Sequence, residues 1–255
     1  QQTIAKSQWR SERQVIRMPR KKIVFVIVEG PSDEEALGVL LNRIYDSKAV
    51  YVQVMHCDIT TELDVNAGNV VAKIGDVVKQ YAGRAFKPGD FSRIIHITDM
   101  DGAYIPDDAV MEDATSVKPL YSVTEIRTQR KSGIENRNQR KRECLNRLFS
   151  ASRIWGVPYQ IYYMSCNLDH ALYGKLNSTD DEKEADSFAF AKKYRDDIPG
   201  FMKFISESDF SVAGSYPQSW QYIREGLHSL ERHTNFGLCF QEENVDSESK
   251  LGSEN

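Results

Sequence analysis

The chain has 255 residues, a formal net charge of −4, 40% hydrophobic content and 27% charged content, the proportions of an ordinary soluble globular chain. Its longest apolar runs span six to eight residues, short of the roughly 20 that a membrane helix needs. Neither a membrane span nor a wholly basic, nucleic-acid-coating surface is expected, although a local basic patch is compatible with the net charge.

Residues 1–22 carry Arg10, Arg13, Arg17, Arg20, Lys21 and Lys22 without an apolar core. No signal peptide is expected there. The segment reads as a basic extension, frayed or helical, equally compatible with a solvated leader and a nucleic-acid arm. The first strand is expected at Ile23–Val28, six apolar residues rich in β-branching, as in a parallel strand buried on both faces. Glu29-Gly30-Pro31-Ser32-Asp33 follows and leads into a helix over 33–46. Ser32 is the expected N-cap, with Glu35 at the capping-box position. Leu37, Leu40, Leu41 and Ile44 form the apolar face. A second strand fits 50–54, a second helix 68–82, and a third strand 93–98 after the turn signal Lys87-Pro88-Gly89-Asp90.

This β-α-β-α-β alternation predicts an α/β fold with a parallel sheet flanked by helices. Right-handed crossovers put Glu29 and Asp99 at the same sheet edge, because both follow the carboxyl end of a strand, and ligands bind at that edge in open α/β sheets. If the chain stays extended past the third strand, Asp99 and Asp101 point to one face and Met100 to the other. Three or four carboxylates at one edge repel each other by roughly 4 kcal/mol per pair at 4 Å. A hard divalent cation relieves this, and oxygen-only ligands suit Mg²⁺ or Mn²⁺. Asp33, one helical turn past Glu29, is a further candidate, and its alternative is a helix-start acid facing the dipole.

Residues 103–138 break the rhythm and are expected to lack regular structure, in a stretch that is functional or mobile. The basic residues of 127–147, Arg130, Lys131, Arg137, Arg140 and Lys141 among them, are the candidate nucleic-acid contacts, since Arg and Lys supply most non-specific affinity through phosphates. A helix over 138–151 and a strand over 159–164 are expected next. Asn167-Leu168-Asp169-His170 then opens another helix, where Asn and Asp have an ordinary capping alternative. Lys183, Lys192 and Lys193 beyond it are weaker candidates for neutralising a phosphate. His96, inside the third strand, is expected to be a core histidine. The remainder reads as helices, with Thr179/Glu182 or Ser178/Asp181 as capping boxes and Trp220, Ile223, Leu227 and Leu230 as one apolar face. The Ser-rich acidic segment 241–255 is expected to be disordered. Cys57, Cys144, Cys166 and Cys239 have no CxxC spacing and are expected to be free thiols in a reducing cytoplasm.

Glu29-Gly30 after one hydrophobic strand and Asp99-x-Asp101 after a later one resemble a TOPRIM domain, over roughly residues 22–175. The string Val28-Glu29-Gly30-Pro31-Ser32-Asp33 is most similar to the nuclease branch, the overcoming-lysogenization-defect type and related small nucleases. The resemblance implies a TOPRIM-like domain over 23–175 interrupted by the insertion 103–138, with a helical extension over 176–240. It implies that Glu29, Asp99 and Asp101 are catalytic and hold the essential metal, and that Asp33 and Asp169 help hold a second. The implied activity is Mg²⁺- or Mn²⁺-dependent hydrolysis of phosphodiester bonds in DNA or RNA, by analogy in bacterial or phage defence with tRNA among the targets. No GxxxxGK[ST] motif is present, so an ATPase or sensor would be a separate partner. The alternatives are a non-catalytic nucleic-acid or partner-binding module, and nucleotidyl transfer of the primase kind.

Overall fold

The computed structural model describes residues 21–46 and 50–241. Most of the expected basic extension and nearly all of the acidic tail lie outside them. The first half runs β1 (Lys22–Val28), α1 (Pro31–Asp46), β2 (Val50–His56), α2 (Val70–Ala82) and β3 (Phe91–Asp99). The expected strand-helix order holds there, with strand ends one to two residues longer than the apolar runs. The second half runs β4 (Val110–Glu112), β5 (Leu120–Tyr121), β6 (Ile126–Thr128), α3 (Lys131–Phe149), β7 (Arg153–Ile154), β8 (Val157–Met164), α4 (Leu168–Tyr173), α5 (Asp180–Tyr194), α6 (Ile198–Glu207) and α7 (Tyr216–Ile223).

The main sheet has five strands in the order β2-β1-β3-β8-β7. β2, β1, β3 and β8 are parallel, and β7 pairs antiparallel with β8. Helices cover both faces, which explains why β1 is apolar at every position from Ile23 to Val28. Phe25 and Ile27 pack with Val70, Ile74 and Val78 of α2 and Leu145 and Leu148 of α3. Val24, Val26 and Val28 pack with Leu37, Leu40 and Leu41 of α1 and with Phe201 and Ile205 of α6. The C-terminal helices therefore share a core with the sheet.

Residues 103–138 are not structureless. They carry a three-stranded sheet in the order β4-β6-β5 and the first two turns of α3, which starts at Lys131. Ile105, Val110, Ile126 and Ile134 form a small core there with Cys166 and Leu230. These anchors are too sparse in the sequence to show a period, and two of the six core residues come from distant segments. The helix expected to run through Leu230 stops at Ile223. Gly226 is left-handed, and Leu230 reaches the small core from a turn. The four cysteines are free. Among the described residues no helix is long and apolar enough to cross a membrane.

Candidate functional site

The parallel sheet delivers acids to its carboxyl edge from four element ends. Glu29 follows β1, Asp99 closes β3, Asp33 lies in the first turn of α1, and Asp169 in the first turn of α4. α1 begins at Pro31, earlier than expected, and the position before it is Gly30, not Ser32. The Gly30 N–H donates to Asp33 Oδ2 at 2.9 Å, so Asp33 both caps the helix and stands beside Glu29. α4 is held to β3 directly, its Leu168 N–H donating to Asp99 Oδ1 at 3.0 Å. Asn167 caps α4 by accepting from the His170 N–H.

Asp101 reaches the edge by a different route from the extended one expected. β3 ends at Asp99, and both Asp101 (φ 49°) and Gly102 (φ 68°) are left-handed. The turn is fixed by backbone bonds: Met100 N–H to Met164 O, Asp101 N–H to Cys166 O, and Gly102 N–H to Ser229 O. A Cβ at position 102 would lie 2.8 Å from Leu230 Cδ2, so only glycine fits this turn.

Lys141 is fully buried, with Nζ 2.5 Å from Asp101 Oδ2 and 3.5 Å from Glu29 Oε1. Thr98 Oγ1 and the Asp99 N–H donate to the same Glu29 oxygen at 2.6 and 3.0 Å, so three donors converge on Oε1. One turn before Lys141, Arg137 donates to the Asp101 carbonyl at 2.6 Å and to the Tyr121 hydroxyl. On the far side, Lys183 Nζ lies 3.7 Å from Asp169 Oδ2 with its side chain 38% exposed.

These neighbours set the charges. Burial raises the Glu29 carboxyl to about 8, with Lys141 opposing and Asp58 and Asp101 adding to the rise. Burial lifts Asp99 well above the usual carboxylate range, helped by Glu29, Asp33 and Asp101. Asp33 rises to about 6 through burial, against the Gly30 N–H and with Asp169 adding repulsion. Asp169 is raised by burial against Lys183. Asp101 goes the other way: burial would raise it, but Lys141 and Arg137 hold it below its ordinary value. Burial opposes the Lys141 charge, yet Asp101 and Glu29 outweigh it and raise its pKa, so it is an ammonium ion at neutral pH.

Glu29, Asp33, Asp99, Asp101 and Asp169 thus share one edge. Among the described residues, however, no three His, Cys, Asp or Glu side chains are drawn together within reach of one metal ion. The Lys141 ammonium lies between Asp101 and Glu29, while Asp33 and Asp99 accept from the Gly30 and Leu168 N–H groups. The donor chemistry still suits a hard cation, since Asp33, Asp99 and Asp169 are oxygen ligands whose burial disfavours their charge. A cleft lined by Pro31, Ser32, Glu35, Asp180, Lys183 and Glu184 lies between the starts of α1 and α5.

The expected basic surface divides. Arg130 is exposed and Lys131 and Arg140 are partly exposed, Lys131 lying 3.8 Å from Glu135. Arg137 and Lys141 turn inward onto the acids and are not free phosphate contacts as they stand. The inward role of Lys141 had a signal in the sequence. Ile134, Asn138, Lys141, Cys144, Leu145 and Leu148 are the buried face of α3, and a lysine inside an apolar helical stripe needs a buried partner. Asp58, just beyond β2, also contributes charge to Glu29 and follows the same strand-end logic. His96 is buried in the core with Nδ1 2.8 Å from the Tyr159 hydroxyl, and burial lowers it to about 3. His170 is buried, and burial lowers it to about 4, so it is neutral beside Asp169. No family model matches the chain, and neither a curated protein nor a solved structure matches it.

Proposed function

We propose that this chain is a TOPRIM-like, Mg²⁺- or Mn²⁺-dependent nuclease that hydrolyses phosphodiester bonds of DNA or RNA. The observation that carries this is the convergence of Glu29, Asp33, Asp99, Asp101 and Asp169 at the carboxyl edge of a parallel sheet, most of them held above their ordinary pKa by burial. Carboxylates kept in that state gain most from a bound cation.

A divalent ion bound at this edge supplies Lewis-acid polarisation of a phosphate oxygen and an acidified water. Asp33, Asp99 and Asp169 would hold it. Glu29 has Oε1 occupied by its three donors, which leaves Oε2 to take a ligand position or the proton of the attacking water. Thr98 and the Asp99 N–H fix the orientation of that carboxylate, and a base held in one geometry acts without first paying to reorient. Arg130, Lys131 and Arg140, at the outer surface of α3, would take the nucleic-acid backbone.

The test is cleavage of labelled DNA and RNA with Mg²⁺, with Mn²⁺ and with chelator. Cleavage should require the metal and should fall by more than about 100-fold in Glu29→Gln and in Asp99→Asn, beyond the loss typical of a residue that only supports a metal ligand. Products formed unchanged by both variants would overturn the proposal. Salt-sensitive binding without products would instead identify a non-cleaving nucleic-acid module.

A further inference from the structure

The two halves of the acidic edge are supplied with charge differently, and this bears on how many metal ions the site takes. Lys141 lies on the buried face of α3 between Asn138 and Leu145, and its side chain has no exposed surface. Its Nζ occupies the gap between Asp101 Oδ2 and Glu29 Oε1, at 2.5 and 3.5 Å. A Mg²⁺ ion bound to those same two oxygens would need distances of about 2.1 Å and would meet the ammonium. Arg137 adds a second positive charge at the Asp101 carbonyl. Lys141 has no solvent to withdraw into, because its stem is packed within the fold.

The other half has no buried cation among the described residues. Asp33, Asp99 and Asp169 are each nearly or largely enclosed and lean on the Gly30 N–H, the Leu168 N–H and the partly exposed Lys183. Neutral N–H groups stabilise a carboxylate but do not cancel its charge.

We infer that Lys141 is the resident cation of the Glu29/Asp101 half, so that the chain binds one divalent ion, on the Asp33/Asp99/Asp169 half, and not two. This rests on the metal-dependent function proposed above and removes Asp101 from the ligands that the TOPRIM resemblance implies. Asp101 becomes the counter-ion of Lys141, and Lys141 becomes a positioning residue that acts through Glu29 and Asp101 without touching the substrate. A tethered ammonium then stands where a second metal ion would have stood in a two-ion site.

The experiment is Mn²⁺ binding to the full chain, by equilibrium dialysis or by the loss of the free-Mn²⁺ electron paramagnetic resonance signal. The wild-type protein should take one Mn²⁺ per chain, Asp99→Asn should lose it, Lys141→Arg should keep one, and Lys141→Met should take a second. The wild-type stoichiometry decides the question even if Lys141→Met fails to fold, which circular dichroism would show. Two Mn²⁺ in the wild type overturn this inference and leave the proposed function standing, as does a folded Lys141→Met variant that still takes one. No Mn²⁺ binding in the wild type overturns both.

Discussion

Asp99 and Asp101 are two residues apart at one sheet edge, both half-buried among the same acids, and they are driven in opposite directions. Asp99 is raised well above the ordinary carboxylate range, and Asp101 is held below it. The difference is the Lys141 ammonium, which contacts Asp101 directly and reaches Asp99 only weakly. One half of the edge carries its own cation on a helix; the other half, Asp33, Asp99 and Asp169, depends on backbone N–H groups and a partly exposed lysine. Burial is common to both halves. The position of a single side chain decides which half is charge-balanced within the protein and which has to draw a cation from solution.

The largest expected effect comes from abolishing the contrast at its source. Lys141→Met leaves Glu29 and Asp101 without the ammonium between them, with Arg137 at the Asp101 carbonyl as the remaining cation. It should destabilise the metal-free protein by about 3 kcal/mol at neutral pH, the lower end of the range for breaking a buried pair by removing one partner. Urea denaturation measures this, and a loss below about 1 kcal/mol would mean the pair is not coupled as its geometry indicates.

Titration sharpens the contrast next. Folding raises Glu29 from 4.5 to about 8 and Asp33 from 3.8 to about 6. Between those limits the unfolded chain is ionised while the folded chain still holds its protons, so the unfolded state binds fewer protons and stability falls as pH rises. Asp101 has the opposite sign, and its contribution is lost only as pH falls below its ordinary value of 3.8. The buried His96 and His170, lowered from 6.5 to about 3 and about 4, oppose this trend below pH 6.5. Chelator-treated protein should therefore lose urea resistance from about pH 6.5 to about pH 8, where Glu29 titrates, and Mn²⁺ should flatten that slope. A profile that rises over this window without metal would contradict the assigned environment of Glu29.

A smaller effect is expected from Asp99→Asn. The amide oxygen can keep the bond from the Leu168 N–H while the like-charge repulsion disappears, so the metal-free protein should gain about 1 kcal/mol even as its activity is lost. A thermal melt compared with the wild type checks the sign. Lys183→Ala should matter least for stability, by less than about 0.5 kcal/mol, because its ion pair with Asp169 is long and screened by solvent; a larger loss would make the second half as self-compensated as the first.

Much of this was legible in the chain. The run Ile23–Val28 could only be a strand buried on both faces, and the acids behind it and behind Ile94–Thr98 had to emerge at one edge once the crossovers were right-handed. Local chemistry also offered Asn167 as a cap and either Ser178 or Thr179 as the next one, because an N-cap acts on N–H groups two or three residues away. Asn167 and Thr179 are the caps that form. By contrast, residues 103–138 looked irregular because their four apolar anchors close a core only with Cys166 and Leu230, which are remote in sequence.

The sequence by itself determined the alternation of strands and helices and the delivery of Glu29 and Asp99 to a common edge, since both follow from periodicity and the handedness of the chain. Only the tertiary structure decided that Asp101 arrives through a left-handed turn, that Gly102 is packed against Leu230, and that Lys141 faces inward. Those outcomes depend on contacts between segments 40 to 128 residues apart. The balance of charge at such an edge is set by distances of a few ångströms, which residue spacing along the chain does not encode.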